Sequence, residues 1–255
     1  MSAVRKPATP SSLLWSAAGT ITLIAAWALL SGLAGSELVL PGPISTLQAL
    51  GGLMSGEGFY RAIGGSALRV ALGIGVAVPI AMGIGIAAGL DSRAAAFVRP
   101  FFSLVSATPV LSVILIAFLW FGQDRTPVFA AFLMVFPVMA ANVLEGVKSA
   151  DHRLEEALVA YGLSRRQLLW HLYLPTLLPF LLGGLRSSLS LCWKVVVAAE
   201  VIVQPLYSLG TGMQSAKAQL ETAELFAWTA ATVVCAGLTE LPLGWLFKRR
   251  RRREA

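Results

Sequence analysis

Apolar residues run through this chain in blocks of about twenty, the length of a helix that crosses a bilayer, with short polar stretches between them. Residues 13–33 form the first block. Residues 36–43 read as a loop, with Pro41 and Pro43 on either side of Gly42. Residues 44–54 are amphipathic and too short to span. Residues 66–90 form the second block, dense in glycine. Within it Gly85 and Gly89 stand four apart and predict a small-residue face for close helix approach, and Pro79 is a candidate kink. Residues 91–100 read as a loop. Residues 101–121 form the third block, with Ser106, Thr108 and Pro109 as a polar, bent point. Residues 122–127 read as a tight turn. Residues 128–144 form the fourth block, residues 177–203 the fifth and residues 226–247 the last, with a polar loop over 204–224 before it. The pattern predicts an all-α, polytopic membrane protein with six transmembrane helices. It has a tail at 1–12, a membrane domain at 13–247 and a basic tail at 248–255.

One long polar interruption, residues 145–175, breaks this rhythm. From His152 to Tyr161 it holds no Pro or Gly and is rich in Leu, Ala and Glu, which predicts a helix. Asp151 is a good N-cap, and Glu155 and Glu156 lie near the first turn, where the helix dipole favours them. Leu154, Leu158 and Tyr161 recur at i, i+4, i+7 as one apolar stripe. Gly162 stands where a glycine ends a helix. Arg165 and Arg166 open a second amphipathic piece, and Pro175 marks the passage into the next apolar block. A short helix, a sharp turn and a second helix make a knob suited to a groove on a partner.

Composition supports the membrane assignment. Of 255 residues, 56% are hydrophobic and 13% charged, against about 25% charged in soluble domains. The net charge of +7 is no sign of nucleic acid, because six basic residues sit in one run, Lys248 to Arg253, directly after an apolar block. Such a run fixes topology or touches anionic lipid. Arg5 and Lys6 precede the first block, which is long for a signal peptide and reads as a retained span. With the N-terminus in the cytoplasm, the inside segments hold Arg5, Lys6, Arg93, Arg99, Lys148, Arg153, Arg165, Arg166 and the terminal run. The outside segments hold only Arg61, Arg125 and Lys217. This bias predicts both termini and the 145–175 segment on the cytoplasmic side.

The chain has no phosphate-binding loop, no H-E-x-x-H and no Gly-x-Ser-x-Gly. Cys192 and Cys235 lie in apolar blocks without metal spacing. The fifth block instead carries Arg186, Lys194 and Glu200. An ionisable group in a bilayer costs about 2.5–3.5 kcal/mol on insertion scales, so it faces a bundle interior or a water-filled path, or it snorkels. Lys194 and Glu200 are six residues apart, about 600° of helix rotation, and do not face each other.

The 145–175 segment resembles the coupling loop of ABC-transporter permeases, whose pattern is E-A-A, three residues, G, nine residues, I-x-L-P. Glu156 and Ala157 match, Leu158 replaces the second Ala, Gly162 is in place, Leu172 replaces the Ile, and Leu174-Pro175 close it. Leu40-Pro41-Gly42-Pro43, Trp120-Phe121-Gly122, Asn142 with Gly146, Gly184-Leu185-Arg186, Trp193, Ala199-Glu200 and Leu209-Gly210 resemble motifs of the nitrate, sulfonate and taurine branch. Residues 203–208 depart from it, lacking the glycine-rich lead-in expected there.

The resemblance implies the permease of a binding-protein-dependent importer in the cell inner membrane. A cytoplasmic ABC ATPase dimer would bind ATP and Mg, so this chain would be no enzyme and hold no cofactor. An external solute-binding protein would deliver the solute, and a second permease copy would complete the path. Leu154, Glu155, Glu156, Ala157, Leu158, Tyr161, Gly162, Arg165 and Arg166 would contact the ATPase. Thr108, Arg186, Lys194 and Glu200 would line the path. A nitrate-, sulfonate- or taurine-like anion is the expected solute. A vitamin precursor or other heterocycle, or a stand-alone ion-coupled transporter, are the alternatives.

Overall fold

A computed structural model of the chain describes residues 10–251. Every regular element in that range is helical. In chain order they are α1 (Pro10–Ala34), α2 (Pro43–Met54), α3 (Glu57–Leu90), α4 (Ser92–Ala107), α5 (Val110–Lys148), α6 (His152–Ala160), α7 (Arg165–Leu168), a π-helical turn (Leu169–Tyr173), α8 (Leu174–Val203), α9 (Leu209–Ala218) and α10 (Thr222–Arg251). Among the described residues, five stretches are long and apolar enough to cross a membrane: Leu14–Ala34, Glu57–Leu90, Val110–Lys148, Arg166–Val203 and Thr222–Pro242.

The expected third and fourth spans share one of these stretches. α5 is helical on both sides of Gly122, whose φ of 68° and ψ of −172° break it. The chain folds back there. The rings of Phe121 and Phe129 lie 4.7 Å apart, whereas eight residues of straight helix rise about 12 Å. The tight turn predicted over 122–127 is therefore a single glycine, and helix resumes at once. The first arm is preceded by a break rather than a bend. Thr108 and Pro109 are extended (ψ 128° and 130°), because a residue before proline is pushed out of the helical region and Pro109 donates no hydrogen bond. The expected loop at 91–100 is helical from Ser92, since the Asp91 carboxylate caps α4 by accepting from the Arg93 amide at 2.8 Å. α4 runs on along the second arm of α5, where Phe102 meets Phe136 edge-on at 5.6 Å.

Two other expectations change in the same way. The polar stretch at 204–224 contains α9, capped by Ser208, whose hydroxyl accepts from the Thr211 amide at 3.0 Å. The piece opened by Arg165 does not stop at Pro175. It passes through the π-helical turn into α8, so one rod runs from the 161–164 turn to Val203. Within that turn the Leu174 amide donates to the Leu169 carbonyl, five residues back. The wider turn accommodates a proline that can neither donate nor sit against a normal helical carbonyl.

The second arm of α5 is the centre of the bundle, packed between α3 and α8. Met139, Ala140 and Val143 on it are fully buried, as are Ala77 and Ala81 on α3. The predicted small-residue face is the contact. A Cβ on Gly85 would come within 2.7 Å of Val143, and one on Gly89 within 2.5 Å of Val147. On the other side a Cβ on Gly184 would meet Asn142 at 2.8 Å, and one on Gly146 would meet Leu177 at 2.7 Å. Pro79 lies inside an unbroken α3. α1 stands largely apart, tied near its end by the Trp27 indole donating to the Pro41 carbonyl (3.0 Å) and the Ser31 hydroxyl to the Leu40 carbonyl (2.9 Å). Arg5, Lys6 and residues 252–255 of the basic tail lie outside the described residues.

Candidate functional site

The 145–175 segment folds into the compact knob that its sequence predicts. Asp151 caps α6, its carboxylate accepting from the Arg153 amide at 2.9 Å. At the other end Gly162 has a φ of +83°, which a side chain would strain. Its amide donates to the Val159 carbonyl (2.9 Å), and the Leu163 amide donates to the Leu158 carbonyl (3.1 Å). These two bonds are the Schellman closure of a helix on a left-handed residue. The next helix begins two residues later with a capping box not anticipated from the sequence. The Ser164 amide donates to the Gln167 side chain at 2.8 Å, and the Gln167 amide to the Ser164 hydroxyl at 3.4 Å. Tyr173 of the π-helical turn lies beside Glu155 of α6, an electrostatic contact between the two pieces.

Little of α6 is covered. Leu154 is 49% exposed and Tyr161 85%, with Val159 also exposed; Glu156, Ala157 and Arg166 face solvent, and Leu158 and Glu155 are half-buried. A nine-residue helix is marginal alone in water. Here two caps and the Tyr173–Glu155 contact hold it, with its apolar side chains outward. Arg165 begins α7.

The charged residues of α8 part company. Arg186 approaches Glu240 of α10 at 3.5 Å, and about two turns on, the Trp193 indole donates to the Thr239 hydroxyl at 2.9 Å. Lys194 is exposed in mid-helix and makes no hydrogen bond or ion pair among the described residues. Ser187 and Ala198 are exposed on the same helix, with Ser190 and Leu191 half-buried, so spacings of three and four make one weakly polar stripe through Lys194. Thr108 is half-buried at the break before α5, its hydroxyl donating to the Leu104 carbonyl at 2.8 Å.

Glu200, the remaining charge expected on the path, is fully buried in the described chain. The Ser66 hydroxyl faces both its carboxylate oxygens at 2.9 and 2.7 Å, Arg69 donates at 3.0 Å and the Gly210 amide at 3.2 Å. Ser66 also accepts from the Leu209 amide at 2.9 Å. Arg69 reaches on to Asp124 at 3.1 Å and to the Tyr207 carbonyl at 3.3 Å. This clamp joins α3, α5, α8 and α9 at the end of the bundle away from α6. Burial of a carboxylate is tolerated because both oxygens are paired and a guanidinium balances the charge. Sequence reasoning missed Arg69. Its signal was available, a charge inside an apolar block and one turn after a serine.

The clamp explains why short motifs far apart in sequence go together. Ala199-Glu200 supplies the carboxylate, Leu209-Gly210 supplies two amides to it and to Ser66, and a Cβ at position 210 would lie 2.4 Å from Glu200. Asn142 and Gly184 meet across the helix contact, and Gly122 makes the fold-back. Relatives share enough of the chain to be compared. The taurine transport system permease protein TauC of Escherichia coli (strain K12) is 33% identical over 220 residues, covering 84% of this chain and 80% of its own. The putative aliphatic sulfonates transport permease protein SsuC of Bacillus subtilis (strain 168) is 29% identical over 231 residues, covering 86% of this chain and 79% of its own. The bicarbonate transport system permease protein CmpB of Synechococcus elongatus is 28% identical over 208 residues, covering 76% and 73%. Residues 78–253, which include the fold-back, the knob and most of the clamp, match the model of the binding-protein-dependent transport system inner membrane component, and it is to that family of ABC permeases, in its nitrate, sulfonate and taurine branch, that the chain belongs.

Proposed function

We propose that this chain forms, with a second copy of itself, the path by which a small anion of the sulfonate class enters the cell, driven by a separate cytoplasmic ATPase dimer and supplied by an external binding protein. The observation that carries the reading is Lys194. It is a cation at mid-helix in a membrane-length element, exposed and unpaired among the described residues. A bare ammonium facing lipid costs several kcal/mol, so that face meets water, an anion or another subunit. A path between two copies supplies all three. Similarity to taurine and sulfonate permeases supports the sulfonate class, and the bicarbonate relative has an anionic oxygen group of its solute in common with them. Arg186 and Thr108 border the same path, Arg186 held by Glu240.

The knob is the ATPase contact. Leu154, Leu158 and Tyr161 seat in the partner's groove, and Glu155, Glu156, Ala157, Arg165 and Arg166 surround them. The rod from Arg165 to Val203 has no loop in it. A displacement of α6 therefore passes through the Gly162 turn along α8 to Lys194 and the clamp. ATP and Mg are bound by the partner.

The test is uptake of taurine by the chain reconstituted with its ATPase and binding protein. Lys194→Ala lowers uptake at least ten-fold with the folded amount unchanged, and Lys194→Arg restores most of it. Unchanged uptake in Lys194→Ala removes Lys194 from the path. In the same assay Glu156→Arg and Gly162→Pro abolish uptake while the ATPase still hydrolyses ATP. Proline cannot adopt the +83° φ of that turn. Normal uptake in both variants refutes the contact.

A further inference from the structure

A cavity of about 640 Å³ lies between α3 and the fold-back of α5, at the end of the bundle away from α6. Its walls are Leu68, Leu72 and Val76 on one side and Phe121, Phe129 and Phe132 on the other. Leu68, Leu72 and Val76 are each about half exposed, so the cavity is a slot open along its side to the bilayer. From Gly65 to Val76 the wall rises about 16 Å, and one leaflet of hydrocarbon is about 15 Å deep. The slot therefore runs from the membrane surface to the midplane. Its mouth is charged. Arg69 and Asp124 are spent on each other there, but Arg125 makes no hydrogen bond or ion pair among the described residues.

We propose that this slot binds one anionic phospholipid, with an acyl chain along the leucine and phenylalanine walls and the phosphate on the Arg125 guanidinium. One apolar alternative as occupant is α1 of a second copy. It carries no acidic residue from Pro10 to Ala34 and leaves Arg125 unanswered. A phosphodiester answers it with charge-assisted hydrogen bonds, to which the planar, permanently charged guanidinium is suited. The lipid would brace α3 against the fold-back beside the clamp, so its occupancy stiffens the end of the molecule where Arg69 bridges Glu200 and Asp124.

The test is native mass spectrometry of the full-length chain in mild detergent, with phosphatidylglycerol or phosphatidylcholine added. Wild type retains one phosphatidylglycerol per chain, about five-fold over phosphatidylcholine, as one basic side chain at a membrane surface provides. Arg125→Ala abolishes the preference and Arg125→Lys keeps it. Leu72→Trp fills the slot from its open side and loses retention of both lipids. Equal retention of the two lipids by wild type overturns the proposal. So does a preference that survives Arg125→Ala, or retention undiminished in Leu72→Trp. The readout needs neither ATPase nor solute and stands apart from the transport reading.

Discussion

Glu200 and Arg69 show how a residue's role is set by a partner remote in sequence. They are 131 positions apart. Periodicity places Glu200 in a membrane helix but gives no partner, so a path and a clamp are equally consistent with the sequence. Removing one member of a buried pair costs about 3–5 kcal/mol, because the other charge stays buried. Arg69→Met should therefore lower thermal stability steeply, and Arg69→Met combined with Glu200→Leu should recover much of the loss. Equal unfolding temperatures for the single and double variants would show that the pair is not coupled. Gly210→Ala attacks the same clamp from the backbone, since its Cβ would overlap Glu200 at 2.4 Å. The knob residues were legible because capping and termination are local. Asp151 and Gly162 act within a turn of themselves, and the structure places both as their sequence neighbourhood predicts.

Among the elements, the contact of α3 with α5 is the most sharply defined. Four of the eight glycines on α3 divide by face. Gly85 and Gly89 lie against Val143 and Val147, while Gly75 and Gly83 have nothing within 4 Å. Gly85→Leu and Gly89→Leu should drive the helices apart and collapse the yield of folded protein. Gly75→Leu and Gly83→Leu should leave it within about two-fold, as exposed apolar substitutions in a lipid-facing surface cost little. Comparable yields for the two pairs, measured by detergent size-exclusion chromatography, would contradict the packing. The boundaries of elements were less legible than their existence. The loop at 91–100 became helix because one carboxylate caps it, and the bend at Thr108–Pro109 became a break. Both outcomes turn on single residues within runs whose average composition says nothing about them.

For the whole molecule, the single chain leaves a charge that lipid alone does not satisfy: Lys194 is exposed in mid-helix and makes no hydrogen bond or ion pair among the described residues. A second copy would place the Lys194 faces of both chains together around one path. The assembly purified with its ATPase is expected to contain two copies of this chain, read from its mass by light scattering. One copy per assembly would require a different permease as partner. The basic run after the last apolar block predicts a cytoplasmic C-terminus, checked by protease access to a C-terminal tag in inverted vesicles.

Hydropathy, glycine spacing and the knob's caps determined by themselves that this is a helical membrane protein with one long polar segment folded as a capped helix and a sharp turn. Those features are local, or depend on the lipid's demand that backbone groups be satisfied within a helix. Tertiary structure alone decided that Gly122 folds α5 onto itself, that the knob and the fifth apolar block form one rod, and that Glu200 belongs to a clamp while Lys194 stays exposed. Each depends on which side chains meet across helices. In a bilayer many apolar faces are interchangeable, so it is the few polar groups, finding one another, that settle the arrangement.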